Sequence, residues 1–335
     1  MNKQILNILK FAFFFGLGIF LVWYSIHQIP NDEFDKFKLA LKTAKYWMVI
    51  PVFLILSSSH IIRALRWKLL MEPMGYKPSL VNTFFAVMIG YLANFAFPRL
   101  GEVLKCTILA KYEKVPVEKN VGTIVAERAF DVVCLLTVFL MALILQYDIV
   151  IAAYHKMQSK FQDLSQHQQQ QGSSTFFYIK MALLLGLVVL LVWIIATKKW
   201  QSFITKIKTV ARGIVEGLTS AWQLKQKKLF LLYSVLIWVL YISGTWIGLY
   251  ATEGSGIGFK AAVSCLAFAS IGMIATPGGI GSYAILTALV LELYNVPYSL
   301  GLANGTLQWF AQFAIVLLVG FICLIFLPIY NRKKL

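Results

Sequence analysis

The feature that most constrains this chain is the recurrence of apolar runs of about 20 residues, the length a helix needs to cross a bilayer's hydrocarbon core. Such runs fall at roughly 8–29, 46–68, 121–146, 176–197, 229–251 and 301–328. A backbone in lipid must satisfy its own N–H and C=O groups, so runs of this length predict spanning helices. The first run, "FAFFFGLGIFLVWYSIHQI", is too long for a signal-peptide core and is followed by no small-residue cleavage site, so it reads as a retained span. With 59% hydrophobic and only 13% charged residues, the composition excludes an ordinary soluble domain.

Two further apolar segments, 80–97 and 259–276, are shorter and end at proline. Each precedes a second short helix, 101–112 and 281–294, and then a Val-Pro dipeptide. The spacing from Pro98 to Pro116 is 18 residues and that from Pro277 to Pro297 is 20. In each half the broken pair follows two spans and precedes one more. Three crossings per half require the halves to be inverted relative to each other. The expected fold is therefore an all-α polytopic membrane protein. It has six full transmembrane helices and two Pro/Gly-broken re-entrant pairs in an inverted repeat. The chain is one integral membrane domain over 1–335, with halves of about 1–146 and 176–328. Partial dips and full hairpins both fit the pairs 80–112 and 259–294.

Lys/Arg bias sets the orientation. The stretch 198–228 holds eight basic residues and one acid, and its apolar positions recur at helical steps. It reads as an amphipathic cytoplasmic helix, or else as a solvated linker. The charge-balanced, Gln-rich stretch 147–175 suits the outside, and both termini suit the cytoplasm of a cell-membrane protein. The net charge of +17 fits basic loops held against anionic lipid, with no nucleic acid required. Cys106, Cys134, Cys265 and Cys323 lie apart from one another in or beside apolar runs, and the histidines are scattered between span ends and the Gln-rich loop, so neither a disulfide framework nor a metal site is expected.

Ionisable residues at membrane depth cost at least ~2.5–3.5 kcal/mol each, so they face protein or water and find partners. The break "FPRLGE" carries Arg99, Gly101 and Glu102. The span after it carries Glu127, Arg128 and Asp131, with Glu127 and Asp131 on one helix face. One reading is a cavity in which Arg99 and Arg128 bind an anionic headgroup while Glu102, Glu127 and Asp131 orient them. Freed N–H groups near Gly101, at a helix start, would favour the same anion. The other reading is a set of ion pairs that lock the broken pair to the span. Pro277, Gly278, Gly279 and Gly281 form the matching break, expected beside the same cavity. Around it stand the neutral polar residues Thr276, Ser282, Tyr283, Asn304, Gln308 and Gln312. Arg63, Arg66 and Trp67, in "RALRWKLL", are expected at the cytoplasmic interface, snorkelling to phosphates, with a specific lipid site as the alternative.

The strings "RALRWKLL", "NFAFPRLGEVLK", "ERAFD" and "TPGGIG", in this order over nearly the whole chain, resemble the flippase-like family named for the transmembrane region of lysylphosphatidylglycerol synthase. The resemblance implies an integral membrane protein that moves or handles lipids. Family members often carry a glutamate shortly after the Pro-Gly-Gly-x-Gly string, where this chain reads "SYAILTA". The aminoacyl-transferase domain of the best-known members is not in this sequence, so lysyl transfer is not expected.

Three functions compete. The first is a lipid flippase or transporter for an anionic phospholipid or a polyprenyl-phosphate-linked lipid. The sequence has no Gly-x-x-x-x-Gly-Lys string to hydrolyse ATP, so transport would run down a gradient or couple to ions. The second is a membrane scaffold or regulator of a separate lipid-modifying or glycosyl-transferring enzyme. The third is a membrane enzyme acting on a lipid-linked substrate. No nucleophile–base set stands out, so no catalytic residue and no cofactor are expected.

Overall fold

In the computed structural model the described residues are 3–96, 100–147, 151 and 224–332, with backbone alone for 3–14 and 96. The chain divides into a unit of residues 1–146 with 217–335 and a unit of 147–216. The span at 176–197, the loop at 147–175 and nearly all of the amphipathic stretch at 198–228 lie outside the described residues, as do Pro98 and Arg99.

All regular structure among the described residues of the first unit is helical: α1 (Lys3–His27), α2 (Asn31–Lys42), α3 (Val49–Met71), α4 (Leu80–Ala96), α5 (Leu100–Glu113), α6 (Val117–Leu145), α7 (Lys227–Leu249), α8 (Phe259–Ala275), α9 (Ser282–Glu292) and α10 (Tyr298–Tyr330). Four described helical stretches are long and apolar enough to cross a membrane: Tyr46–Met74, Val117–Leu145, Lys227–Leu249 and Tyr298–Tyr330. Residues 31–42, which fall between the expected spans, form helix α2. Pro30 precedes its start, Asp32 and Glu33 lie in its first turn and Lys42 in its last, the charge order the helix dipole favours.

The packing has a regularity that follows the repeated sequence. Exchanging α3 with α7, α4 with α8, α5 with α9 and α6 with α10 turns the observed helix contacts among these eight into one another. Thus α4 packs on α10 as α8 packs on α6, and α3 on α4 as α7 on α8. The equivalent helices α3 and α7 run antiparallel: Lys45 N–H donates to the Ala251 carbonyl at one end, Leu56 faces Gly244, and Arg66 meets Ser234 at the other end.

Each broken pair starts and finishes at one end of the bundle. At the first end, Ser79 and Asn82, where α4 begins, both donate to Glu113, where α5 stops, and Asn82 exchanges amide hydrogen bonds with Asn331 after α10. At the other end, Ala261 and Ala262 of α8 share a core with Val290 and Leu291 of α9 and with Leu249. Lys68, Lys77, Lys111, Lys114, Lys119, Lys225, Lys227, Lys228 and Arg332 gather at the first end. The second end mixes Asp32, Glu33, Asp35, Glu253 and Glu292 with lysines.

The end of α4 meets the second break. The second tip is built by glycine: Gly278, Gly279 and Gly281 take positive φ of 62°, 75° and 74°, which L side chains rarely adopt. Pro277 opens the turn. The carbonyls freed by the break are satisfied locally. Ser282 Oγ donates to Gly272 O at 2.7 Å, Thr276 Oγ1 to Ile280 O at 3.0 Å, and Trp309 Nε1 to Gly278 O at 2.7 Å. This is what a break at membrane depth requires. Gly278 lies against the Phe95 ring at the end of α4, and a Cβ on Gly278 would stand 2.6 Å from that ring. Gly281 backs onto α1 at Gly18, Leu21 and Val22.

Candidate functional site: a buried ion cluster beside a polar cavity

The first feature is a buried ion cluster joining α3, α5 and α6. Arg63 Nη1 donates to Glu127 Oε1 at 2.9 Å and to Asp131 Oδ2 at 2.6 Å. Arg66 Nη2 donates to Asp131 Oδ1 at 2.6 Å and stands 3.5 Å from Glu127 Oε1. Lys105 Nζ lies 3.8 Å from Glu127 Oε2 and over the rings of Trp67 and Tyr91. Arg66, Glu127 and Trp67 have no exposed surface at all. Tyr241 Oη and Ser234 Oγ of α7 accept from Arg63 and Arg66, and Thr123 Oγ1 accepts from Trp67 Nε1 at 2.9 Å.

Helical spacing explains the match. Two arginines three apart on α3 face two carboxylates four apart on α6, and the helices run antiparallel, so each charge finds its opposite. The expectation that Arg63, Arg66 and Trp67 snorkel to an interface is thereby corrected. Arg63 lies eight residues, about 12 Å, from the Met71 end of α3, yet Arg63 and Arg66 are 5% and 0% exposed, their heads turned onto α6 rather than out to water. Ion pairing with α6 takes the place of snorkelling.

The second feature is a cavity of about 430 Å³ at the junction of the two repeated groups. It runs along α3 from Lys45 and Tyr46 through Val49, Val52 and Leu56 to His60, one turn short of Arg63. Tyr91, Asn94 and Phe95 of α4 and Arg128 of α6 line it from one side. Tyr241 and Thr245 of α7, Ser270 of α8, Gly278, Tyr283 of α9, and Gln308 and Gln312 of α10 line it from the other. The rest of the wall is apolar. No Asp or Glu is among the lining residues, whereas Lys45 and Arg128 are.

The expected site residues therefore separate. Arg128 and Gly278 reach the cavity wall. Glu127 and Asp131 lie in the ion cluster, and their hydrogen bonds go to Arg63 and Arg66. Glu102, in the first turn of α5, accepts from Arg128 Nη2 at 3.2 Å, with both side chains partly exposed. Gly101 is buried, and its N–H is taken by Asn94 Oδ1 at 2.8 Å, so that donor is already occupied. Pro277, Gly279 and Gly281 shape the tip behind Gly278 without lining the cavity. Arg99 lies outside the described residues. Among the described residues no group of His, Cys, Asp and Glu could hold a metal ion.

Sequence reasoning missed Lys105, and it misplaced Arg63 and Arg66. The available signal was complementarity of spacing between "RALR" and "ERAFD". For Lys105 it was the position four residues after Gly101, within a helix too short and too central to expose it. The two repeated groups also correspond in register. Counted from Pro116 and Pro297, Thr123, Glu127 and Asp131 fall level with Asn304, Gln308 and Gln312. Carboxylates in one group thus answer to amides in the other. Asn304 donates to the carbonyls of Gly248 and Leu249, its Oδ1 accepts from Gln308 Nε2 at 2.7 Å, and Gln312 Nε2 donates to Tyr283 Oη at 3.1 Å.

Comparison with known proteins gives two matches. The family described as lysylphosphatidylglycerol synthase TM region matches residues 7–320. A UPF0104 membrane protein of Methanocaldococcus jannaschii is 21% identical over 328 residues, covering 89% of each chain. No solved structure matches.

Proposed function

Since the chain belongs to the lysylphosphatidylglycerol synthase transmembrane-region family, we propose that it is a lipid transporter of the cell membrane rather than an enzyme, moving an anionic phospholipid or polyprenyl-phosphate-linked lipid. The observation that carries this reading is the cavity between the repeated groups. It has an apolar wall, a few polar groups, two cations and no carboxylate on its lining. Its volume falls in the range of small-molecule sites. Transporters built from inverted repeats place their sites where discontinuous helices meet, and Gly278 and Phe95 mark such a meeting here.

In this proposal the two repeated groups are inverted halves, supported by the antiparallel packing of α3 on α7 and by pairs that enter from opposite ends. The Lys/Arg-rich end, with both termini, faces the cytoplasm. Arg128 engages the headgroup phosphate while keeping its bond to Glu102. A guanidinium has five donors in a planar fork, and Glu102 occupies one of them in the structure. The buried cluster holds α3 and α6 together behind the site. Arg99 remains a proposed second phosphate ligand.

The test is reconstitution. Purified protein in vesicles carrying a fluorescent anionic phospholipid should speed exchange between leaflets, read as the fraction quenched by an impermeant reductant. Arg128→Gln should remove most of that exchange while elution in detergent stays monodisperse. A wild-type protein that moves no lipid, in a strain whose lipid modification changes when the gene is deleted, would favour the scaffold or regulator role.

A further inference from the structure

The cavity's lining sets which headgroups it can take, and this inference rests on the transport reading of the same cavity. Three carboxylates lie near the site, and each is already committed. Glu127 and Asp131 are bonded to Arg63 and Arg66, and Glu102 to Arg128. The lining itself carries Arg128 at one end and Lys45 at the other, with no acid between them. An ammonium drawn into this space would lose its hydration, meet no counter-charge and face two cations. Placing a charge in such surroundings unpaired is strongly unfavourable.

The wall opposite Arg128 is built of neutral acceptors. Gln308 spends its N–H₂ on Asn304, and Asn304 is itself fixed by the Gly248 and Leu249 carbonyls and by Thr252 Oγ1 at 2.9 Å. Gln312 spends its N–H₂ on the buried hydroxyl of Tyr283. Their amide orientations are thus set from behind. The Oε1 atoms of both accept no hydrogen bond among the described residues. Two carbonyl oxygens held in place, with Ser270 and Thr245 on the same lining, suit a partner that brings hydroxyl donors.

We infer that the cavity selects a lipid with one phosphate and an uncharged, hydroxyl-bearing headgroup, the phosphate on Arg128 and the hydroxyls on Gln308 and Gln312. Amine-bearing headgroups, including aminoacylated ones, are excluded. The shared chemistry belongs to two sources, a glycerol headgroup on a phospholipid and a hexose on a polyprenyl phosphate.

The experiment compares leaflet exchange of fluorescent phosphatidylglycerol, phosphatidylethanolamine and lysyl-phosphatidylglycerol by the full chain in vesicles. Alongside it, thermal unfolding in detergent is measured with short-chain forms of each lipid and with a short isoprenyl-phosphoryl hexose. Exchange of phosphatidylglycerol should exceed that of either amine-bearing lipid by on the order of tenfold. Only the two amine-free probes, phosphatidylglycerol and the isoprenyl-phosphoryl hexose, should raise the unfolding temperature, and the better of the two names the source. Gln312→Glu puts a carboxylate at the position level with Asp131, and Tyr283 Oη, which accepts from Gln312 in the structure, can turn to donate to it. It should reverse the order, admitting amine-bearing lipid and slowing phosphatidylglycerol. Equal exchange of all three lipids by the wild type, or no reversal in a folded Gln312→Glu protein, overturns the inference and leaves transport standing. If no lipid moves, the transport reading fails. The unfolding shifts then still decide headgroup preference, with equal shifts or none overturning it.

Discussion

The buried cluster is rich in cations, and that imbalance predicts which of its members is hardest to lose. Arg63, Arg66 and Lys105 face Glu127 and Asp131, three positive charges against two negative, all in or beside one contact region. Asp131 makes two of the shortest bonds there, 2.6 Å to each arginine. Asp131→Leu leaves three cations on Glu127 alone. Removing one partner of a buried pair costs ~3–5 kcal/mol because the other charge is left uncompensated, and here two arginines lose a partner at once. The upper end of that range is expected. Arg66→Met acts the other way. Arg63 and Lys105 then face Glu127 and Asp131 with the charges equal, Asp131 keeps its bond to Arg63, and methionine fills much of the space. The expected cost is about 1.5–3 kcal/mol, a lost hydrogen bond to a charged group with no stranded charge. The double variant returns the tally to two cations and one anion, the original excess of one. It should therefore be less destabilised than Asp131→Leu alone, a coupling of at least about 1 kcal/mol between touching residues. The assay is unfolding of the purified proteins by denaturing detergent in mixed micelles, with the four proteins read as a double-mutant cycle. Equal costs for the two single variants, or strictly additive costs in the double, would refute the charge tally.

Two further outcomes rest on packing and charge placement. In the first broken pair, α4 and α5 touch backbone to backbone, and a Cβ on Gly101 would run into the Gly90 carbonyl, whereas a Cβ on Gly122 would meet nothing within 4 Å. Gly101→Val should abolish recovery of monodisperse protein and Gly122→Val should leave it near wild type; comparable yields would contradict the close approach. For sidedness, a cysteine at Lys225 should resist an impermeant maleimide added to intact cells, and one at Glu253 should react, in a background cleared of native cysteines. The opposite pattern would reverse the orientation.

Much of the helical layout was legible because the bilayer forces it. Apolar runs and proline-glycine breaks gave helix boundaries within a few residues for α4, α5, α8 and α9. The "TPGGIG" string could be read as a turn because proline and glycine narrow backbone choices so strongly, and its glycines take the positive φ that only they hold without strain. The site was less legible because partners are chosen in three dimensions. "FPRLGE" drew attention as a charged break, and its Glu102 does hold Arg128, but the carboxylates of "ERAFD" went to α3. Helix α2 was hidden for another reason. Its mixed signs resemble a solvated loop, and only the order of its charges, acids first and lysines last, betrays a helix.

The register between the two repeated groups shows how one plan can carry two chemistries. Level positions on α6 and α10 hold Glu127 and Asp131 in one case and Gln308 and Gln312 in the other. On α6 the positions face arginines across an antiparallel contact, so carboxylates are needed and no free charge remains for a ligand. On α10 the neighbouring α7 offers Gly248 where α3 offers long cations, and Gly248 leaves the room that Gln308 fills: a Cβ there would stand 2.8 Å from the Gln308 amide carbon. With no cation on α7 to pair with, a carboxylate at the buried position 308 would be a costly charge, whereas amides at 308 and 312 can be satisfied by Asn304 and Tyr283 and still present an acceptor. Glycine on α7 and glutamine on α10 are thus linked choices, as are arginine on α3 and acid on α6. The neutral pair is the one left with capacity to meet something inside the cavity.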